Sequence, residues 1–131
     1  MKSGSLRCDI QPFHDRKSDD VQFVYCTVPD EETARAIAHR IVEARLAACV
    51  NLLGPIHSVY RWEGKIEAAD EWALIAKTVV SSFASLRDRI RALHPYDCPC
   101  IVALPVTGGW PAFLDWIRAE TGPEADQEGK S

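Results

Sequence analysis

The sequence predicts an α+β domain in which strands and helices alternate in the order βαββαβ, followed by a terminal helix. Two segments with apolar residues at helical spacing separate β-branched and aromatic runs, and two of those runs meet at a tight turn. The chain of 131 residues, with 47% hydrophobic and 26% charged residues, is long enough for one core. We expect a single domain over residues 21–121, with a flexible N-terminal arm (residues 1–20) and a flexible tail (residues 122–131).

The first strand and the first helix follow one another at the start of this domain. Residues 21–28 (VQFVYCTV) are β-branched and aromatic, which is typical of a buried strand, and Pro29 ends that strand. Asp30 is placed to cap the N-terminus of a helix over residues 31–46, where small and aliphatic residues recur at helical spacing. This region therefore predicts a β-strand that leads directly into an α-helix.

Two long strands predict a hairpin that projects beyond the core. They cover residues 48–62 and 65–80, and Gly54-Pro55 predicts a bulge or bend in the first of them. About fifteen residues at roughly 3.3 Å each span about 50 Å, which exceeds the width of a domain of this size. Packing of the far end on another subunit is therefore expected, and large aromatic residues flank the turn: Tyr60, Trp62 and Trp72.

The remaining elements complete the alternating order. Ser81 or Ser82 can cap a second helix, which ends at His94 because a residue before proline disfavours helical geometry. Residues 100–106 predict a fourth strand, and Pro111 fits the first turn of the terminal helix. The order matches the ferredoxin-like pattern, in which right-handed crossovers place both main helices on one face of an antiparallel sheet.

Charge and cysteine usage argue against several classes of protein. Fifteen Lys and Arg against nineteen Asp and Glu give a net charge of −4, which favours neither nucleic acid nor anionic lipid as a partner. No window approaches the roughly 20 apolar residues of a membrane span. Five cysteines without the framework of a small secreted domain indicate free thiols in a reducing compartment. We expect a cytoplasmic protein.

The residues that could carry chemistry indicate soft-metal binding. No catalytic motif or nucleotide-binding loop is present, so neither an enzymatic activity nor an organic cofactor is expected. Thiolate and imidazole groups select copper or zinc, and the candidate ligands are Cys26, His94, Cys98, Cys100 and His57. In a strand the thiols of Cys98 and Cys100 would share one face, although structural zinc takes four ligands. Core packing of the thiols and a helix-terminal role for His94 are the structural alternatives.

Seven blocks of sequence resemble the CutA divalent-cation-tolerance family. In order they are YCTVPD, LAACVN, YRWEGKI, KT, HPY, LPV and LDW, and the spacing around WEGKI and HPY is the most specific. The resemblance implies a ferredoxin-like subunit in a tight, PII-like homotrimer, in which the long hairpins add to neighbouring sheets. It also implies a role in tolerance of divalent metal ions, with no established enzymatic activity.

The resemblance further implies a copper site. The first-strand cysteine of the family matches Cys26, and the histidine of its HPY motif matches His94. Where some members have a second, adjacent histidine this chain has Leu93, and where relatives commonly have glutamate it has Cys100. Copper, as Cu(I) or Cu(II), is therefore expected to bind weakly, with Cys98 or Cys100 as substitute ligands.

A second function from a different class remains open. A PII-like signalling protein or assembly scaffold would bind a small ligand or a partner protein in clefts between subunits. Lys65, Lys77 and Tyr96 are the candidates for lining such clefts. For the two lysines, a solvated position at a strand edge is the structural alternative.

Overall fold

A four-stranded antiparallel sheet and three α-helices form the described part, residues 16–122, of the computed structural model. The predicted order βαββαβ with a terminal helix is confirmed, whereas residues 1–15 of the predicted arm and residues 123–131 of the predicted tail lie outside the described residues. In chain order the elements are β1 (Val21–Val28), α1 (Glu31–Glu43), β2 (Cys49–Trp62), β3 (Lys65–Val79), a 3-10 turn (Val80–Ser82), α2 (Phe83–Leu93), β4 (Ile101–Pro105) and α3 (Pro111–Glu120).

The strand order across the sheet is β2-β3-β1-β4, and all neighbouring strands are antiparallel. β1 and β3 are therefore central, while β2 and β4 leave a row of backbone donors and acceptors at each edge. This is the ferredoxin-like arrangement predicted from the order of the elements.

The two faces of the sheet are covered differently. α1 and α2 pack on one face, where they bury alternate residues of β1 and β3. α3 packs on the other face near the start of β1, where Ile117 joins Val21 and Val79 in a smaller cluster. The main cluster includes Val24, Cys26, Val28, Ala34, Ile37, Ile41, Leu74, Ala76, Leu86 and Ile90.

The N-terminus of α1 is capped as predicted, whereas the end of α1 and the start of α2 differ from the prediction. The Asp30 carboxylate accepts a hydrogen bond of 2.8 Å from the Thr33 backbone N–H, as expected for an N-cap, and this bond holds the pKa of Asp30 below its usual range. α1 ends at Glu43 and not at residue 46, because Arg45 adopts a left-handed conformation with φ of 59°. Ser81 or Ser82 is expected to cap α2; Ser82 does occupy the N-cap position, but its side chain makes no capping hydrogen bond, because α2 continues from a 3-10 turn.

The hairpin of β2 and β3 is distorted where the sequence predicts it. The register shifts between Leu53 and Ile56, around a cis Gly54–Pro55 peptide bond. Trp72 is half-buried against the main cluster and lies so close to Gly54 that a Cβ there would fall 2.3 Å from the indole Cδ2. The expectation that Trp72 sits at the projecting end is therefore wrong, because its ring packs where the hairpin leaves the core.

The distal hairpin presents two different faces. Side chains alternate along each strand, so Tyr60 and Trp62 share one face while Val59 and Ile66 share the other. The exposed fractions are 65% for Val59, 63% for Ile66 and 52% for Trp62. This part of the chain therefore exposes apolar surface on both sides.

The segment before β1 belongs to the folded unit. The Asp20 carbonyl accepts a 2.9 Å hydrogen bond from Val80, and the Ser18 carbonyl accepts one of 2.9 Å from Ser81. The Arg118 guanidinium donates to the Asp19 carbonyl at 2.8 Å. Residues 16–20 of the predicted arm are therefore held against the folded domain.

Candidate functional site

A cavity of about 570 Å³ opens between the hairpin and the segment that follows α2. Alternation along β2 directs every second side chain of the hairpin toward it, and β3 supplies one carboxylate. The segment after α2 forms the opposite wall. The lining residues are Thr27, Ser58, Tyr60, Trp62, Glu71, Tyr96, Asp97, Cys98 and Cys100.

A hydrogen bond joins the two walls of this cavity. The Tyr96 hydroxyl donates to Glu71 Oε2 at 3.0 Å, and only 9% of Glu71 is exposed. Burial, followed by the bond to Glu71 and its negative charge, raises the pKa of Tyr96 to about 12. Tyr96 therefore stays a neutral donor at physiological pH and holds the carboxylate in place.

The two predicted copper ligands of the resemblance share one hydrogen-bond acceptor. The Cys26 thiol donates to the Thr27 carbonyl oxygen at 3.7 Å, and His94 Nε2 donates to the same oxygen at 2.7 Å. Because that oxygen only accepts, Nε2 carries the imidazole proton. His94 Nδ1 in turn accepts the Tyr96 backbone N–H at 3.1 Å. The imidazole thus anchors the segment after α2 to the end of β1.

The Cys26 thiol is held in its protonated form. Its residue is 1% exposed, and burial, together with the charges of Cys100 and Glu71, raises the pKa of Cys26 to about 12. Cys100 therefore lies close enough to influence Cys26, a proximity that the sequence could not establish. A metal ion would have to displace the thiol proton.

The other candidate thiols have a different setting from the one expected. β4 begins at Ile101, so Cys98 and Cys100 lie in the irregular segment before it, and the expectation of one shared strand face is wrong. Both line the cavity and are exposed. Among residues 16–122, no group of three or more His, Cys, Asp or Glu side chains is arranged to hold a metal ion.

The remaining candidates are separated from one another. Lys77 is 6% exposed, donates to Asn51 Oδ1 and lies 5.5 Å from the centre of the Phe23 ring. Lys65 is exposed beside the hairpin turn, at the opposite end of β3. Within one chain, Tyr96 lines the cavity and these two lysines do not. His57 pairs instead with an exposed carboxylate on β3, that of Asp70, at 2.9 Å.

Glu71 is the cavity residue that sequence reasoning missed. It lies in the polar run EAADE, where period-two alternation gives no indication that one of three carboxylates is buried. In the fold its carboxylate accepts a hydrogen bond from Tyr96, which is 25 residues away in sequence. No local motif could have identified it.

Comparison with known proteins establishes the family. A family model described as the CutA1 divalent ion tolerance protein matches residues 22–120. The chain belongs to the CutA family. The family is described by tolerance of divalent ions, so this chain is a divalent-cation tolerance protein.

Members of the CutA family match most of this chain. A CutA structure from Thermus thermophilus is 48% identical, with a TM-score of 0.77, and covers 78% of this chain and 99% of its own. A structure from Archaeoglobus fulgidus, described as a periplasmic CutA, is 50% identical, with a TM-score of 0.74, and covers 76% and 97%. The human protein CutA is 40% identical over 130 residues, which cover 96% of this chain and 73% of the human one. The CutA fold predicted from the sequence is confirmed.

The described residues include no helix that is long and apolar enough to cross a membrane. This finding concerns residues 16–122.

Alkaline solution should destabilise this CutA protein through the buried thiol. The pKa of Cys26 rises from 9.0 to about 12 on folding, so the unfolded chain loses this proton first as pH increases. The free energy of unfolding should therefore fall between about pH 9 and about pH 12, by up to about 1.4 kcal/mol per pH unit. Melting temperatures of the wild type and of Cys26→Ser measure the effect. An equally steep decline in both proteins would contradict it.

Proposed function

We propose that this CutA protein confers tolerance to divalent metal ions as a homotrimer that binds copper weakly through Cys26 and His94. One observation carries the proposal: Cys26 Sγ and His94 Nε2 meet at a single atom, the Thr27 carbonyl oxygen, at 3.7 and 2.7 Å. A thiol and an imidazole are the two donors that a copper ion prefers among side chains.

The local bonding is consistent with weak binding. Copper would compete with the Cys26 proton and with the hydrogen bond from His94 Nε2 to Thr27, so part of the binding energy offsets these losses. When copper is bound, it supplies a soft cation that these two residues hold and orient. Cys98 or Cys100 would act as substitute ligands in place of the family glutamate.

Removing both proposed ligands tests the copper site. Cys26→Ala combined with His94→Ala should weaken copper binding by more than about 100-fold, because no pair of donors remains at Thr27. Titration of the reduced protein with Cu(I) and Cu(II) measures this, while light scattering and melting curves confirm assembly and folding. Cys49→Ser with His39→Ala is the matched control, because it removes one thiol and one imidazole away from the proposed site. Unchanged uptake by the variant that lacks Cys26 and His94 would reject these two ligands. Loss of uptake only in a third variant, Cys98→Ser with Cys100→Ser, would move the site to the substitute thiols.

The homotrimer is supported by the surfaces that one chain leaves uncovered. β2 and β4 both have a free edge within the described residues, and such edges pair readily with strands of another chain. The distal hairpin adds exposed apolar side chains, with Val59 and Ile66 more than half exposed. Addition of each hairpin to a neighbouring sheet would cover both features.

A cytoplasmic location is part of the proposal. Four cysteines lie in the described part of the chain, and all four are free: Cys26, Cys49, Cys98 and Cys100. Free thiols persist in a reducing compartment, whereas exposed thiols in an oxidising one tend to pair. The neighbouring pair Cys98 and Cys100 is the part of the chain that such oxidation would affect first.

The cavity supports a second candidate function: a PII-like signalling or scaffold protein that binds a small ligand. Its volume of about 570 Å³ lies within the range of small-molecule sites, and Tyr96 from the predicted cleft set lines it. A ligand that binds the folded protein raises its melting temperature. Such a rise in metal-free protein would support this function, and flat melting curves across a broad ligand panel would count against it.

A further inference from the structure

We propose that the cavity binds a small organic cation, an alkylammonium or guanidinium ion, between its aromatic side chains and Glu71. This inference rests on the second proposed function and specifies the chemical class of its ligand. It concerns the cavity itself, whose lining includes the substitute thiols Cys98 and Cys100 but not Cys26 or His94.

The charge of the lining selects a cation. Glu71 and Asp97 contribute carboxylates, and none of the nine lining residues is a Lys, Arg or His. The negative charge of Glu71 is also among the causes, after burial, that raise the pKa of Cys26. A phosphate or carboxylate ligand would enter this field without a counter-charge, whereas a cation would be attracted.

Glu71 provides an acceptor for the cation. Its Oε2 accepts the Tyr96 hydroxyl, while its Oε1 has no hydrogen-bond partner among the described residues. The residue is 9% exposed, and a carboxylate removed from water is stabilised when a charged donor reaches it. Ammonium and guanidinium groups supply N–H donors of this kind, which favours them over a cation without N–H groups.

The aromatic walls favour an organic cation over a bare metal ion. Tyr60 and Trp62 share one face of β2, and Tyr96 lies on the opposite wall. Aromatic faces attract cations within about 6 Å of the ring centre, and tryptophan does so most strongly. The volume of about 570 Å³ also exceeds what a metal ion fills, and the described residues contain no cluster of three metal-ligating side chains.

Three probes of matched shape test this inference on the full-length, reduced protein in the presence of a chelator. They are phenethylammonium, its neutral analogue phenethyl alcohol and its anionic analogue hydrocinnamate, each titrated by calorimetry. We expect phenethylammonium to bind at least about tenfold more tightly than either analogue, because it alone carries the charge that Glu71 and the rings recognise.

Variants assign the binding to the cavity. Glu71→Gln and Trp62→Leu should each weaken phenethylammonium binding by at least about tenfold. Trp62 is 52% exposed, so its replacement leaves the core intact and remains informative if Glu71→Gln alters the fold. Asp70→Asn is the matched control, because Asp70 is an exposed carboxylate on the same strand whose register partner, His57, lies on the hairpin face opposite Tyr60 and Trp62.

The outcomes separate this inference from the function on which it rests. Equal or tighter binding of hydrocinnamate or phenethyl alcohol would overturn cation selectivity while leaving a small-ligand function in place. Binding of phenethylammonium that is insensitive to both cavity variants would overturn the site. Failure of all three probes would overturn the inference, and flat melting curves across the broad ligand panel would separately reject the small-ligand function.

Discussion

Gly54→Ala should destabilise the protein strongly, although it adds a single methyl group. A Cβ at this position would lie 2.3, 2.6 and 2.6 Å from three ring atoms of Trp72, well inside van der Waals contact. The indole is packed against the main core cluster and cannot move away without disturbing it. We expect a loss of about 1–3 kcal/mol in the free energy of unfolding, as for other overpacked sites. Chemical denaturation measures it.

Two further variants test whether the collision with Trp72 causes the loss of stability. Gly108→Ala is the matched control, because a Cβ at Gly108 would meet no atom within 4 Å. Gly54→Ala combined with Trp72→Leu removes the ring that causes the collision, so the two substitutions should cost less together than the sum of their separate effects. Equal stability of the two glycine variants, or simple additivity in the double variant, would contradict the account.

Charging the aliphatic face of the hairpin should abolish assembly. Val59→Lys and Ile66→Lys replace side chains that are 65% and 63% exposed in one chain and that we propose are buried in the homotrimer. Burying an unpaired lysine at an interface costs several kcal/mol per charge, which exceeds what a few lost aliphatic contacts would cost. We expect the mass from light scattering to fall from a trimer to a monomer or to misassembled species.

The two lysine substitutions change the proposed interface and not the cavity. Val59 and Ile66 lie on the hairpin face opposite Tyr60 and Trp62, so the cavity lining is unchanged. Glu32→Gln with Glu43→Gln alters the net charge by the same two units on the exposed surface of α1, and this control should retain the wild-type mass. A trimer that survives both lysines would show that the aliphatic face is not an interface.

Local sequence patterns predicted most of the fold. β1 extends over the predicted residues, Asp30 caps α1 as expected, and the hairpin distortion lies at Gly54-Pro55. Each of these features depends on interactions within a few residues: side-chain alternation, an N-cap, or a proline without a backbone donor. The extension of α1 to residue 46 was wrong because the left-handed turn at Arg45 has no glycine to mark it.

The candidate site could be predicted only in part, because it depends on contacts between distant segments. The family motifs identified Cys26 and His94, yet the bonds that engage the imidazole come from Thr27 and Tyr96. Lys77 forms part of the regular alternation of β3, and no local pattern showed that Asn51 and Phe23 would enclose it. In the sequence Glu71 cannot be distinguished from the exposed carboxylates near it. Only the folded chain brings Tyr96, from the segment after α2, within hydrogen-bond distance of it.

The hydrogen bond between Arg118 and Asp19 joins the last helix to the segment before β1, so the start and the end of the folded domain lie side by side. Asp20 also contacts Val80, at the end of β3 remote from the hairpin turn. A fluorescent protein or an affinity tag joined directly before residue 16 or after residue 122 would therefore emerge at the same place, away from the projecting strands. This geometry makes residues 16–122 suited to circular permutation.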